Sequence, residues 1–346
     1  MMPRACLSIS KDLGARMTRH IIHVGFPKCG STALQTWFDE QPGLSFIDVG
    51  FPADGDFSLP TPDAVAGVED HGIHVTSSEH FAAPLPDHRH HSSLIARRTN
   101  SCHRLRSVFG EATILIVTRG YRSVLASAYK QNVRGGGFCS PRKFFRLRHG
   151  PHRTEGIEDY FDYDAVVALY ERVFGTDRVV VLPYEWLCDD PEAFTAELEA
   201  RLELPSSGTT PPFCNGSLTA SELTWYPRFS ALVAYASLPL FGRRQAALRR
   251  YRERLDQRRR LRALADLLDR AAPRWFTRRR EAKVPPEVLQ RCRDRSIELS
   301  RRDLYAPYRE VYAGARHDTT SPDQDWRPKW RQSDSRAASR ASVHVR

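Results

Sequence analysis

The chain is poor in lysine, poor in methionine, and has no closely spaced cysteine pair. Of its 52 basic residues only 6 are lysine and 46 are arginine. The seven cysteines (Cys6, Cys29, Cys102, Cys139, Cys188, Cys214 and Cys292) are odd in number and contain no C-x-x-C. That excludes a disulfide framework and a zinc site of the usual spacing, and it makes the thiols free residues of a reducing compartment. Long apolar runs are missing as well. No stretch approaches the roughly 18 apolar residues of a membrane span. The first twenty residues hold Lys11, Asp12, Arg16 and Arg19 and lack the apolar centre of a secretory signal. No internal period of solenoid length occurs. A cytoplasmic protein is expected, with contact at the edge of a membrane left open.

What is present is enough for a substantial core: 346 residues, 41% of them hydrophobic. The net charge of +11 comes almost wholly from arginine, whose planar fork suits phosphate, sulfate and carboxylate. Anionic partners follow from that, and a compositional bias toward arginine would give the same count. No nucleic-acid-binding motif is recognisable, and none of that class of partner is expected.

Four apolar segments deliver polar residues from their ends. Ile21–Val24 runs into a Gly/Pro turn and a helical pattern over Thr32–Phe38. Ile73–Thr76 ends at Ser77-Ser78-Glu79-His80. Thr113–Thr118 ends at Arg119-Gly120 before a helical Ser123–Gln131. Val179–Leu182, preceded by a helical Tyr163–Phe174, ends at Pro183-Tyr184-Glu185. Apolar strands without alternation, separated by helices, predict an α/β fold with a central parallel sheet covered on both faces and a ligand at the carboxyl ends of its strands. The expected organisation is a polar leader over 1–19, an α/β domain over 20–313, and a tail over 314–346 of low apolar content. Within the domain, about 230–282 reads as a basic helical elaboration. Its leucines either pack on the sheet with the arginines solvated, or lie on an anionic membrane.

Gly25-Phe26-Pro27-Lys28-Cys29-Gly30-Ser31-Thr32 lies between the first strand and the first helix, so backbone amides and a helix N-terminus face an anion. It has the form of a phosphate loop, G-x-x-x-x-G. A Walker A motif, however, needs lysine after the second glycine, and here Ser31-Thr32 follow while the lysine sits inside the loop. Such a placement disfavours a magnesium-dependent kinase or nucleotide hydrolase, which stays as an alternative. A second alternative is a non-catalytic basic module binding glycan or nucleic acid.

The loop, together with Arg119 and Ser127 eight residues later, and Tyr184-Glu185-Trp186-Leu187 followed by Asp189-Asp190-Pro191, resembles the sulfotransferase superfamily, in particular its bacterial and glycan-type members. The late Arg-Lys-Gly loop of the aryl and steroid enzymes is not evident. The resemblance covers roughly Ile21 to Leu198, with an echo in Leu304-Tyr305-Ala306-Pro307-Tyr308. It implies the donor 3′-phosphoadenosine 5′-phosphosulfate and no metal. Lys28 would contact the bridging oxygen of the leaving 5′-phosphate, with Pro27, Cys29, Gly30, Ser31, Thr32 and Ala33 forming the phosphate cradle. Arg119 and Ser127 would hold the 3′-phosphate, and Tyr184 would lie near the adenine or serve as a core residue at a strand end.

Transfer also needs a base for the acceptor hydroxyl or amine. Glu79 is the first candidate and His80 the second, with His71, His74 and Asp48 behind them. Lys130 and Arg134, ahead of Gly135-Gly136-Gly137, are candidates for an acceptor that is expected to be a glycan or glycolipid. His88, His90 and His91 lack the spacing of a ligand pair and read as a solvated loop.

Overall fold

A computed structural model describes residues 19–48, 72–84, 92–147, 155–212, 217–238, 248, 250–251, 259–273 and 282–313. The leader up to residue 18, the tail from 314, His71, His88, His90 and His91, and most of the basic segment lie outside the described residues.

Five strands form one parallel sheet in the order β2-β3-β1-β4-β5, with β1 Arg19–Val24, β2 Leu44–Asp48, β3 Ile73–Ser78, β4 Thr113–Thr118 and β5 Val179–Pro183. Every pairing is parallel, and β1 runs in register with β3 from Arg19 opposite Ile73 to Val24 opposite Ser78. The first strand lies between β3 and β4, so the loop that leaves it is flanked by Glu79 on one side and Arg119 on the other. This is the switch point at which open α/β sheets place their ligands.

The helices that frame the site and its surroundings include α1 Ser31–Asp39, α2 Leu94–Phe109, α3 Tyr121–Arg134, α4 Tyr163–Phe174, α5 Tyr184–Asp189, α6 Pro191–Arg201, α7 Ala220–Ala236, α8 Arg259–Ala271 and α9 Pro286–Arg293. Two cores cover the sheet. One face packs Ile22, Val24, Ile114 and Ile116 against α2, α3, α4 and the C-terminal helices, and the other packs Ile21, Val75, Leu115 and Val117 against α1, α5 and α6. Both faces are dry, which is why the strand residues read as continuous apolar runs.

Some elements differ from the sequence expectation. β2 was not anticipated, because its edge-strand burial alternates only weakly over Leu-Ser-Phe-Ile-Asp. The helical elaboration expected from about 230 is preceded by the start of α7, which begins ten residues earlier at a Thr219 cap and carries Pro227 within it.

Candidate functional site

Lys28 has φ 69 and Gly30 φ 90, so the loop crosses the left-handed region twice in three residues. For Gly30 this is inexpensive. For Lys28 it costs on the order of 1 kcal/mol, a strain of the kind that persists where surrounding contacts over-determine the backbone. Those contacts are visible: Arg119 Nη1 donates to the Lys28 carbonyl at 2.9 Å, and the Cys29 amide donates to Phe26 O at 3.2 Å. A side chain at Gly30 would place its Cβ 2.7 Å from the Tyr184 ring, so glycine is needed there for space as well as for φ.

The Ala33 amide turns back to Gly30 O at 3.0 Å. No backbone acceptor for the amides of Gly30, Ser31 and Thr32 lies among the described residues, and these N–H groups at the start of α1 are the ones an anion can take. Cys29 does not contribute chemistry through sulfur. It is buried near the Tyr163 hydroxyl at 3.9 Å, and burial pushes its thiol well above the usual range. Pro27 is half-buried and Thr32 exposed.

On the β3 side, Ser31 Oγ lies 3.3 Å from Phe26 O and within hydrogen-bond reach of the Glu79 carboxylate. Burial raises the pKa of Glu79; the ammonium of Lys28 and the Ser31 hydroxyl oppose that shift, and Asp48 adds to it. Glu79 therefore faces the loop lysine. Asp48, at the end of β2, accepts from Gln35 Nε2 at 3.1 Å, and burial raises its pKa too. The His80 side chain is held to the backbone at Ala83, and burial lowers its pKa. His74 lies at the opposite end of β3, stacked on His20 with ring centroids 5.5 Å apart, so the structure does not bring it to the loop.

On the β4 side, the guanidinium of Arg119 stacks on Tyr184, 4.6 Å from the ring centroid, and its Nε donates to Ser123 Oγ. The hydroxyl partner of Arg119 is thus Ser123, one turn before Ser127. Ser123, Ser127, Lys130 and Arg134 fall on one stripe of α3. Ser127 is half-buried, Lys130 Nζ donates to Ser217 Oγ at 2.8 Å, and Arg134 ends the helix. Lys130 and Arg134 lie about 4 and 10 Å beyond Ser127 along the helix axis, away from the loop. Tyr184 is packed under Gly30, so its ring supports the loop and the arginine.

Behind this surface lies a hydroxyl chain the sequence did not announce. Tyr305 and Thr118 bond at 2.7 Å, Thr118 donates to Tyr312 at 3.1 Å, and Tyr312 donates to Glu185 Oε2 at 2.7 Å. Glu185 Oε1 accepts the Gly120 amide at 2.9 Å, and the Tyr163 hydroxyl donates to Arg119 O at 2.7 Å. Burial raises the pKa of Glu185, and the bonds from Gly120 and Tyr312 oppose it. The Arg119-Gly120 turn is therefore held from beneath. A Cβ on Gly120 would lie 2.9 Å from Val311, so the C-terminal segment packs directly against it.

Fold and site together define a phosphate-loop-type α/β protein with its loop lysine inside the loop. No protein-family model and no curated relative matches the chain. Solved structures similar to it include a sulfotransferase from Alicyclobacillus acidocaldarius, at 20% identity over 62% of this chain and 93% of that one with a TM-score of 0.43, and mouse sulfotransferase SULT7A1 complexed with PAP, at 13% identity over 55% and 60% with a TM-score of 0.30. At these scores neither likeness says what this chain does. Among the described residues no group of three His, Cys, Asp or Glu side chains is placed to hold a metal ion, and no helix is long and apolar enough to cross a membrane.

Proposed function

We propose that the chain is a sulfotransferase that moves a sulfuryl group from 3′-phosphoadenosine 5′-phosphosulfate to an acceptor hydroxyl or amine, on a glycan or glycolipid. The observation that carries this reading is the bond from Arg119 to the Lys28 carbonyl. It joins the loop and the strand-end arginine, the two parts a donor with phosphates at both 5′ and 3′ positions needs, into one cationic surface. ATP has no 3′-phosphate and gives a second, separate anion site no purpose.

In the proposed step the acceptor oxygen or nitrogen attacks sulfur in line as the bond from sulfur to the bridging phosphate oxygen breaks. The electron pair leaves with 3′-phosphoadenosine 5′-phosphate. Lys28 neutralises the charge growing on the bridging oxygen, the amides of Gly30, Ser31 and Thr32 hold the 5′-phosphate, and Arg119 with Ser127 holds the 3′-phosphate. The acceptor proton goes to Glu79. Its carboxylate faces Lys28 and its pKa is raised by burial, toward the range in which a base works near neutral pH. His80 is the second candidate, disfavoured by its tie to the backbone at Ala83.

Isothermal titration with 3′-phosphoadenosine 5′-phosphate tests the reading. Wild type binds, Arg119→Ala loses roughly 30- to 150-fold in affinity, and 5′-AMP binds weakly, as expected for a charged bidentate contact worth about 2–3 kcal/mol. Equal affinity for 5′-AMP and the 3′-phosphorylated nucleotide would overturn it, and magnesium-dependent ATP turnover would put a kinase or hydrolase in its place.

A further inference from the structure

We propose that the face built by the outer end of α7 and the flank of α8 docks on an anionic membrane surface. α7 begins inside the protein, with Leu223 to Pro227 buried, and ends outside it. Leu232 is 68% exposed, Tyr235 64% and Leu238, just past the helix, 52%. Phe138, exposed on the segment that follows α3, lies beside Tyr235 with ring centroids 6.3 Å apart.

α8 packs on α7 and divides its leucines between two sides. Leu261, Ala265, Leu268 and Ala272 face the core, whereas Leu264 and Leu267 stand on the flank and are exposed. Packing onto the sheet therefore accounts for only part of the apolar pattern of the basic region. The remainder is a set of large apolar side chains in water, the kind of feature that marks an interaction surface.

Charge names the occupant. Residues 243–280, which begin just after α7 and end just after α8, hold fifteen arginines, no lysine and four acidic residues. Their net charge of +11 equals that of the whole chain, so the other residues are electrically balanced. Arg262 and Arg270, both exposed on α8, belong to this segment. Exposed leucines and aromatic rings that enter an interface, on α7 and on an α8 that also exposes Arg262 and Arg270 within a strongly basic stretch of sequence, supply the apolar and cationic parts of a peripheral membrane surface. A nucleic acid would satisfy the arginines and leave the leucines without a role. The proposal is independent of the sulfuryl-transfer reading, since none of these residues belongs to the donor site.

The test is co-sedimentation of the full chain with vesicles of phosphatidylcholine alone or mixed with phosphatidylglycerol at roughly 7:3. Two double variants go alongside, Leu232→Ser with Leu267→Ser and Arg262→Glu with Arg270→Glu. All four positions are exposed, so an unchanged thermal midpoint verifies folding. Wild type sediments with the anionic vesicles only, salt weakens the association, and each double variant lowers the partition coefficient at least about tenfold. Wild type that stays in the supernatant overturns the proposal. So does sedimentation that both variants retain, or duplex-DNA binding by a chain that ignores the vesicles.

Discussion

At the residue scale the loop carries a stability cost tied to its lysine. Lys28 occupies φ 69, a conformation glycine adopts freely. Lys28→Gly is expected to be more stable than Lys28→Ala by about 1 kcal/mol, while both lose transfer activity equally. Denaturant midpoints of the two variants, with sulfuryl transfer assayed in parallel, check this. Identical midpoints would mean that the contacts from Arg119 do not impose the backbone conformation. The sequence reveals this lysine by its departure from the Walker pattern. The hydrogen bond from Arg119 to Ser123 was not legible, because Ser123 and Ser127 lie on one stripe of α3 and only the side-chain reach of the arginine selects between them.

At the element scale the sheet contains a titrating liability. His23 of β1 is fully buried, bonds Ser77 Oγ through Nδ1 at 2.8 Å, and burial lowers its pKa to about 4. Above pH about 7 the histidine is neutral in both folded and unfolded states and contributes nothing to pH dependence. As pH falls from about 6.5 to about 4 the unfolded chain takes up a proton that the folded chain refuses, so stability declines, by up to about 3 kcal/mol from this group. Urea midpoints of wild type and His23→Gln are expected to diverge over that window, with wild type falling faster. Parallel curves would assign the acid sensitivity elsewhere.

The helix α2 shows why some elements escaped the sequence reading. It buries Arg97 and Arg98, the first paired with Glu155 and the second donating to the carbonyls of Ala82, Asp159 and Tyr160. Two arginines on the inner face disguise an amphipathic pattern that periodicity would otherwise detect.

At the scale of the whole molecule the proposed donor surface depends on a segment far along the chain. Tyr312 bonds Glu185 across 127 residues and Thr118 across 194. Tyr312→Phe keeps the buried ring and removes the donor to Glu185, so the variant is expected to lose about 1–3 kcal/mol of stability and to bind 3′-phosphoadenosine 5′-phosphate more weakly. Thermal melting and titration check both effects, and a stability loss with unchanged affinity would uncouple the network from the Arg119-Gly120 turn. Tyr312 is also the last side chain, among the described residues, that reaches the core. The sheet and its loop were legible because strand, turn and helix signals are local. The hydroxyl chain was not, because its members meet only after the chain folds.

The same separation sets the order in which a growing polypeptide acquires its properties. On the ribosome β1, the loop and β4 emerge long before Tyr305 and Tyr312, and until those two arrive the Gly120 turn has no complete support. A nascent chain would thus pass through most of its synthesis with that turn unfinished, and the proposed nucleotide site could close only after the segment bearing Tyr305 and Tyr312 has docked.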